Sequence, residues 1–210
     1  MTIILGPAEI FTIFFITLGP LKILGPFVQR THGLDDAAVR QIAVRAFLMA
    51  TISGIAGGFL GAVLLANWHI SIGAMVIAGG LVFLLVGLRQ LLEQYEPPHA
   101  PDVNIPALPA SPTAAALKLL FPIVLTPFGI AAVIVLLALS PDGGRTQLIV
   151  GMVVVVMLLN LIAMLFARRI LVGATIVVLQ ILGAVLGILQ AGLAVQIILR
   201  GLRDLKIIGA

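Results

Sequence analysis

The sequence predicts an all-α membrane protein of six transmembrane helices, and three observations lead there. Hydrophobic residues make up 61% of the 210 and charged residues only 10%, where soluble domains carry about 25% charge. Mean hydropathy is +1.27. The apolar residues fall in uninterrupted runs of about 20, the length a helix needs to cross a bilayer core.

Taken in order, the runs cover approximately residues 7–28, 41–66, 70–92, 116–139, 146–167 and 174–199. The stretch from Met1 to Pro7 has no basic residue, so the first run reads as a retained span and not as a cleavable signal. Only Asn67, Trp68 and His69 separate the second and third runs. Together those two are too long for one crossing, and Trp68 fits an anchor at the membrane interface.

Between Glu93 and Ala115 lie Pro97, Pro98, Pro101, Pro106, Pro109 and Pro112, half of the chain's 12 prolines. Proline removes a backbone donor and clashes with the carbonyl four residues back, so this stretch reads as a connection. It divides the chain into a three-helix unit over 1–95, a linker over 96–115 and a second three-helix unit over 116–210. Three spans per unit make any repeat an inverted one. Two offsets support a repeat: Pro20 and Pro127 lie 107 residues apart, and Gly79 and Gly187 lie 108 apart.

Lysine and arginine set the expected orientation. The side bearing the linker owns Arg30, Arg40, Arg45, Arg89, Lys118, Arg168 and Arg169, against Arg145, Arg200, Arg203 and Lys206 on the other. Seven against four makes the linker side cytoplasmic and puts both termini outside.

Two spans carry helix breakers. The first holds Gly19-Pro20-Leu21-Lys22-Ile23-Leu24-Gly25-Pro26, and a kink or break is expected within 19–26. The fourth holds Pro122 and then Thr126-Pro127-Phe128-Gly129. Backbone groups freed inside a bilayer must meet protein or a water-filled cavity, and such groups can serve a solute. The same pattern is also compatible with ordinary kinks packed by neighbouring helices. Lys22 is the single basic residue well inside a span. It could bind a carboxylate, or snorkel about 12 Å toward the edge marked by Arg30. Glu9, near the outer end of the first span, suits a helix N-terminus better than a coupling proton. Gly54, Gly57, Gly58 and Gly61, with Gly183 and Gly187, read as close-packing positions. Gly79 and Gly80 can also bring backbone near a cavity. Thr51, Ser53, Asn160, Gln190 and Gln196 read first as interhelical hydrogen-bonding groups. The candidate solute-binding residues are therefore Gly19, Pro20, Lys22, Gly25, Pro26, Gly79, Gly80, Thr126, Pro127 and Gly129.

Other classes find little support. A formal charge of +4 and a pI near 10.4 come from charges at span ends and not from a basic face, which argues against nucleic acid. With no cysteine, disulfides and thiolate chemistry are excluded. His32, His69 and His99 all lie in connections, and neither a metal set nor a nucleophile arrangement is present. No enzyme activity, cofactor or metal is expected. The partners are the lipid bilayer and a small solute, with a homo-oligomer left open.

At this level of detail the chain resembles the MarC family, also called the small neutral amino acid transporter family. The resemblance rests on Phe14-Phe15-Ile16-Thr17-Leu18-Gly19-Pro20 with Gly25-Pro26-Phe27, on Pro122 with Pro127, and on Ala194 through Gly201. Its most specific piece is Ile70-Ser71-Ile72 followed by Ile77-Ala78-Gly79-Gly80. The resemblance implies a six-span protein of a prokaryotic inner membrane, moving small neutral amino acids, with proton coupling as the form of energy supply it suggests. The chain departs from the family pattern where Asn-Pro becomes Gly19-Pro20 and Gly-Pro-Gly becomes Thr126-Pro127-Phe128. Two pattern arginines are replaced by Val76 and Ala184, and Lys22 is a candidate partial replacement. These losses keep a second reading in view, a non-transporting structural or regulatory membrane protein on the same fold.

Overall fold

A computed structural model describes residues 6–92, 108–109, 111–140, 142–171 and 174–208. Most of the proline-rich linker thus lies outside the described residues. Eight helices follow in order: α1 (Pro7–Leu18), α2 (Leu21–Arg30), α3 (Asp36–Asn67), α4 (Ile72–Leu92), α5 (Pro112–Leu119), α6 (Pro127–Ala138), α7 (Gly143–Ile170) and α8 (Ala174–Asp204). Among the described residues the chain is all-helical. The continuous run α1–α2 and the helices α3, α4, α7 and α8 are long and apolar enough to cross a membrane. The segment Pro112–Val124 and helix α6 meet at 69°, and add a sixth crossing if they form one span.

Short polar side chains start four of these helices by accepting from the otherwise orphaned first-turn N–H groups. Asp35 accepts from the Ala38 N–H at 3.1 Å, Ser71 from Ala74 at 3.2 Å, Thr126 from Gly129 at 3.0 Å and Asp142 from Arg145 at 2.7 Å. Glu9 accepts from the Gly6 N–H at 2.9 Å, the helix-terminal role its position suggested. The caps lengthen the helices past their apolar cores: α3 begins at Asp36 and α7 spans 143–170, wider than the hydropathy limits of 41–66 and 146–167.

The helical ladder stops at Leu18 and resumes at Leu21, with Gly19 extended at φ −73°, ψ 168°. Pro26 behaves otherwise, since α2 runs through it. The second Gly-Pro therefore does not interrupt the helix, and the interruption is narrower than the 19–26 window. Before α6, Phe121, Leu125 and Thr126 are extended, and the Phe121–Pro122 peptide is cis.

The helices form two groups. Helices α1, α2, α3, α5, α6 and α7 surround one large apolar core that includes Phe14, Phe27, Ala46, Leu119, Val133 and Met157. Helices α4 and α8 pack antiparallel on each other and touch the first group along a thin seam of Ile16, Phe83, Phe128 and Ala194. Small residues permit the α4–α8 pairing. Gly73, Gly80 and Gly87 recur every seven residues on α4, and Gly201, Ala194 and Gly187 recur every seven on α8. A Cβ on Gly201 would lie 2.8 Å from the Gly73 carbonyl oxygen, and one on Gly80 would lie 3.2 Å from the Ala194 carbonyl oxygen. On α3, a Cβ at Gly58 would come within 2.3 Å of Val133 and one at Gly61 within 2.4 Å of Ile134, so the small residues there seat α6.

Candidate functional site

Between the two groups lies a cavity of about 1020 Å³. Its mouth is at the end of the bundle that carries Gly6, Ser71, Asp142, Arg145, Arg200 and Asp204, so both signs of charge ring it. Its walls are apolar, from Ile10 and Ile13 of α1, Val76 of α4, Ala131, Ala132 and Val135 of α6 and Ile197 of α8. Its inner residues are Thr17, Gly79, Phe83 and Phe128. The rings of Phe83 and Phe128 stack with centroids 4.7 Å apart and planes 24° apart, and both side chains are buried. This stack lies among the innermost residues of the cavity lining. A smaller recess of about 440 Å³ opens sideways between α1 and α8, bordered by Glu9, Thr12, Gln196 and Arg200, and Ile13 and Ile197 border both spaces.

The interrupted backbone beside the floor is held by polar groups from other helices. Ending α1 at Leu18, ahead of a proline without an N–H, leaves its last carbonyls without helical donors, and in an apolar interior each costs free energy unless paired. The Thr126 hydroxyl donates to the Thr17 carbonyl at 2.9 Å while accepting the Gly129 N–H. The Asn160 amide donates to the Leu18 carbonyl at 2.6 Å. One residue therefore caps α6 and closes the end of α1. Gly129 lets the two chains approach, since a Cβ there would sit 1.9 Å from Leu18 Cδ2. Asn160 is buried, and its Oδ1 has no partner.

Beyond the floor, Lys22 does not run to the helix end. Its ammonium donates to Gln190 Oε1 at 2.9 Å, and the Gln190 amide donates to the Phe83 carbonyl at 3.3 Å. Gln190 is 1% exposed. At the far end, Arg168 donates to the carbonyls of Thr31 and Leu34 and to Asp36, each at 2.8 Å, fastening the end of α2 to α7. Arg45 similarly bonds Thr113, tying α3 to α5.

A model of MarC family integral membrane proteins matches residues 7–206. The chain belongs to the MarC family. A UPF0056 membrane protein of Methanocaldococcus jannaschii is 25% identical over 194 residues, covering 92% of this chain and 94% of the relative. No solved structure matches the chain. Family and helices together make it a multi-pass membrane protein.

In this MarC family chain, Gly79 is the one sequence-derived candidate that lines the cavity, and a Cβ there would meet open space. Gly80, its neighbour, backs onto α8 instead. Gly19 and Pro20 form the interruption, and a Cβ on Gly19 would lie 1.8 Å from the Phe15 carbonyl oxygen. Thr126, Pro127 and Gly129 form the start of α6, held against α1. Gly25 and Pro26 lie within α2, away from the cavity, and Lys22 lies behind the floor. Sequence reasoning missed the Phe83–Phe128 floor and the mouth charges. Phenylalanine inside an apolar run carries no sequence mark distinguishing a cavity floor from lipid-facing surface.

Proposed function

We propose that the protein is a secondary transporter that carries a small solute between the α4–α8 pair and the remaining helices. The observation that carries this reading is the cavity, which enters from one end and stops at Thr17 and Phe128, next to the two helix interruptions. Mixed charge at the mouth, apolar walls and polar backbone ends at the bottom suit a small amphiphilic solute. Neutral amino acids are the class that the family resemblance implies, with a proton gradient as the coupling source. The solute would be bound and moved without chemical change, so the reading includes no enzyme activity.

The reading takes the bent pair as one span, giving six, and relates the halves by a two-fold axis in the membrane plane. The pairings support this: α1 and α2 pack on α7, α5 and α6 pack on α3, and α4 packs on α8. Exchanging first with fourth, second with fifth and third with sixth spans maps that set onto itself. The interrupted first and fourth spans then occupy equivalent places. With the lysine and arginine bias, the mouth and termini face outward across a prokaryotic inner membrane. Flux of a panel of labelled neutral amino acids into proteoliposomes tests the function. Uptake of one or more above empty vesicles is the expected result. No uptake across the panel refutes the amino-acid class and favours a non-transporting membrane partner.

A further inference from the structure

We propose that Lys22, held by Gln190 beneath the Phe83–Phe128 floor, is a binding site for the carboxylate of a small organic acid or amino acid. The inference rests on the transport reading for the route by which the anion arrives, and it adds a site and a chemical class to it.

The first observation is depth. Gln190 lies sixteen residues from the start of α8 and fourteen from its end, about 21–24 Å of helix either way. A lysine ammonium bonded to it sits about 20 Å of helix from either end of α8. The second is charge. A cation at mid-membrane depth costs about 2.5–3.5 kcal/mol even on the mildest scales, and is ordinarily paired. Here the acceptor is a neutral amide. Among the described residues the acidic side chains, Glu9, Asp35, Asp36, Asp142 and Asp204, lie at helix starts or in the end turns of helices. The ion pair of Arg168 with Asp36 lies at the linker end. Among the described residues this ammonium thus has one oxygen acceptor, Gln190 Oε1, and no carboxylate beside it, although an ammonium has three donors.

The third observation is placement. Gln190 bonds the Phe83 carbonyl, and the Phe83 ring is part of the cavity floor. Lys22 is five residues past Thr17, another inner cavity residue. The cation is therefore two hydrogen bonds from a residue that lines the cavity. A carboxylate that passes the stack replaces Gln190 Oε1 as the acceptor and forms a charge-assisted bond, stronger than the neutral one it displaces. Because Gln190 also holds the Phe83 backbone, occupation of the site and position of the floor are linked. The cavity walls between mouth and floor are uncharged, so the ammonium is the first fixed charge that an anion meets inside.

The test uses the full chain in detergent micelles, with sodium propionate as probe, sodium chloride at equal ionic strength and propionamide as controls. Thermal unfolding is followed for the wild type, Lys22→Arg and Lys22→Gln. Propionate is expected to raise the midpoint of the wild type and Lys22→Arg saturably and to leave Lys22→Gln unmoved, while propionamide moves none. Ligand bound only by the folded state must stabilise it in this way. An equal propionate effect on wild type and Lys22→Gln, or none on the wild type, overturns the site. A second readout needs no variant: reductive methylation of Lys22, with Lys118 and Lys206 as internal references, is expected to slow in propionate at Lys22 alone. Equal rates with and without propionate overturn the proposal. A chain that shows both effects yet moves no solute in vesicles refutes transport and keeps the site. Transport that survives Lys22→Gln without any propionate effect refutes the site and keeps transport.

Discussion

Gly79 and Gly80 are adjacent on α4, and the structure assigns them opposite consequences for one added methyl group. A Cβ on Gly79 points into the cavity and meets nothing within 4 Å, whereas a Cβ on Gly80 lies 2.6 Å from Ile198 Cγ1 and 3.2 Å from both the Ala194 carbonyl oxygen and the Ile198 nitrogen. Replacing either glycine by alanine in a helix interior gains about 1 kcal/mol of backbone propensity. At Gly79 that gain stands alone, so Gly79→Ala is expected to be stabilising by up to about 1 kcal/mol. At Gly80 the same gain is offset by overpacking, which costs about 1–3 kcal/mol and here cannot be relieved by rotamer changes alone, because two of the three close atoms are backbone. Propensity cancels in the comparison, so the two variants should differ by about 1–3 kcal/mol with Gly80→Ala the weaker. The assay is equilibrium unfolding in mixed micelles followed by far-UV circular dichroism, with flux measured on the same samples. Gly79→Phe should reduce flux, because Gly79 lines the cavity and its Cβ position is open, so the added ring narrows the cavity. Equal stabilities for the two alanine variants, or Gly79→Ala as the weaker, would refute the placement of α4 against α8 and the cavity with it.

Thr126→Val keeps the shape but removes the hydroxyl that caps α6 and serves the Thr17 carbonyl. A loss of about 1–3 kcal/mol in the same unfolding assay is expected, with Thr126→Ser close to the wild type. Asn160→Leu orphans the Leu18 carbonyl and should cost about 1–3 kcal/mol, whereas Thr51→Val, which loses only a bond to the Phe47 carbonyl in its own turn, should stay within about 0.5 kcal/mol. Arg168→Ala frees two carbonyls at the end of α2 and should speed amide hydrogen exchange across residues 31–36. Asp36→Asn should change it little, because the Asp36 side chain is 96% exposed and such a pair is worth at most about 1 kcal/mol.

The membrane class and the approximate places of the helices were legible because they depend on composition and run length, which lipid reads directly. Helix ends were less legible, since Asp35 and Asp142 extend α3 and α7 beyond the hydropathy limits through capping bonds that a window average ignores. The α4–α8 pairing had a signal that could have been found: small residues at intervals of seven, Gly73, Gly80 and Gly87 on one helix and Gly187, Ala194 and Gly201 on the other. Gly79 and Gly80 looked equivalent in sequence, and only the direction of each Cβ separates cavity wall from helix contact. Asn160 and Gln190 were visible as polar groups within spans, but their partners are a carbonyl 142 positions away and a lysine 168 positions away. Bonds of that separation follow from the packing of whole helices and leave no local pattern.

Gly19 and Val76, two of the departures from the family pattern, border the helix interruption and the cavity. The backbone at Gly19 brings the Phe15 carbonyl to within 1.8 Å of where a Cβ would stand, so an asparagine in that place requires a different path for the chain. With glycine there, no side chain at the interruption can serve the end of α1. The donors come instead from α7 and the start of α6, through Asn160 and Thr126. Val76, where the pattern has arginine, forms part of the apolar cavity wall one turn from Gly79, and a guanidinium on that wall would place positive charge above the Phe83–Phe128 stack. Here the positive charge lies below the stack, on Lys22. In the transport reading proposed above, a carboxylate entering from the mouth would meet the Phe83–Phe128 stack before Lys22.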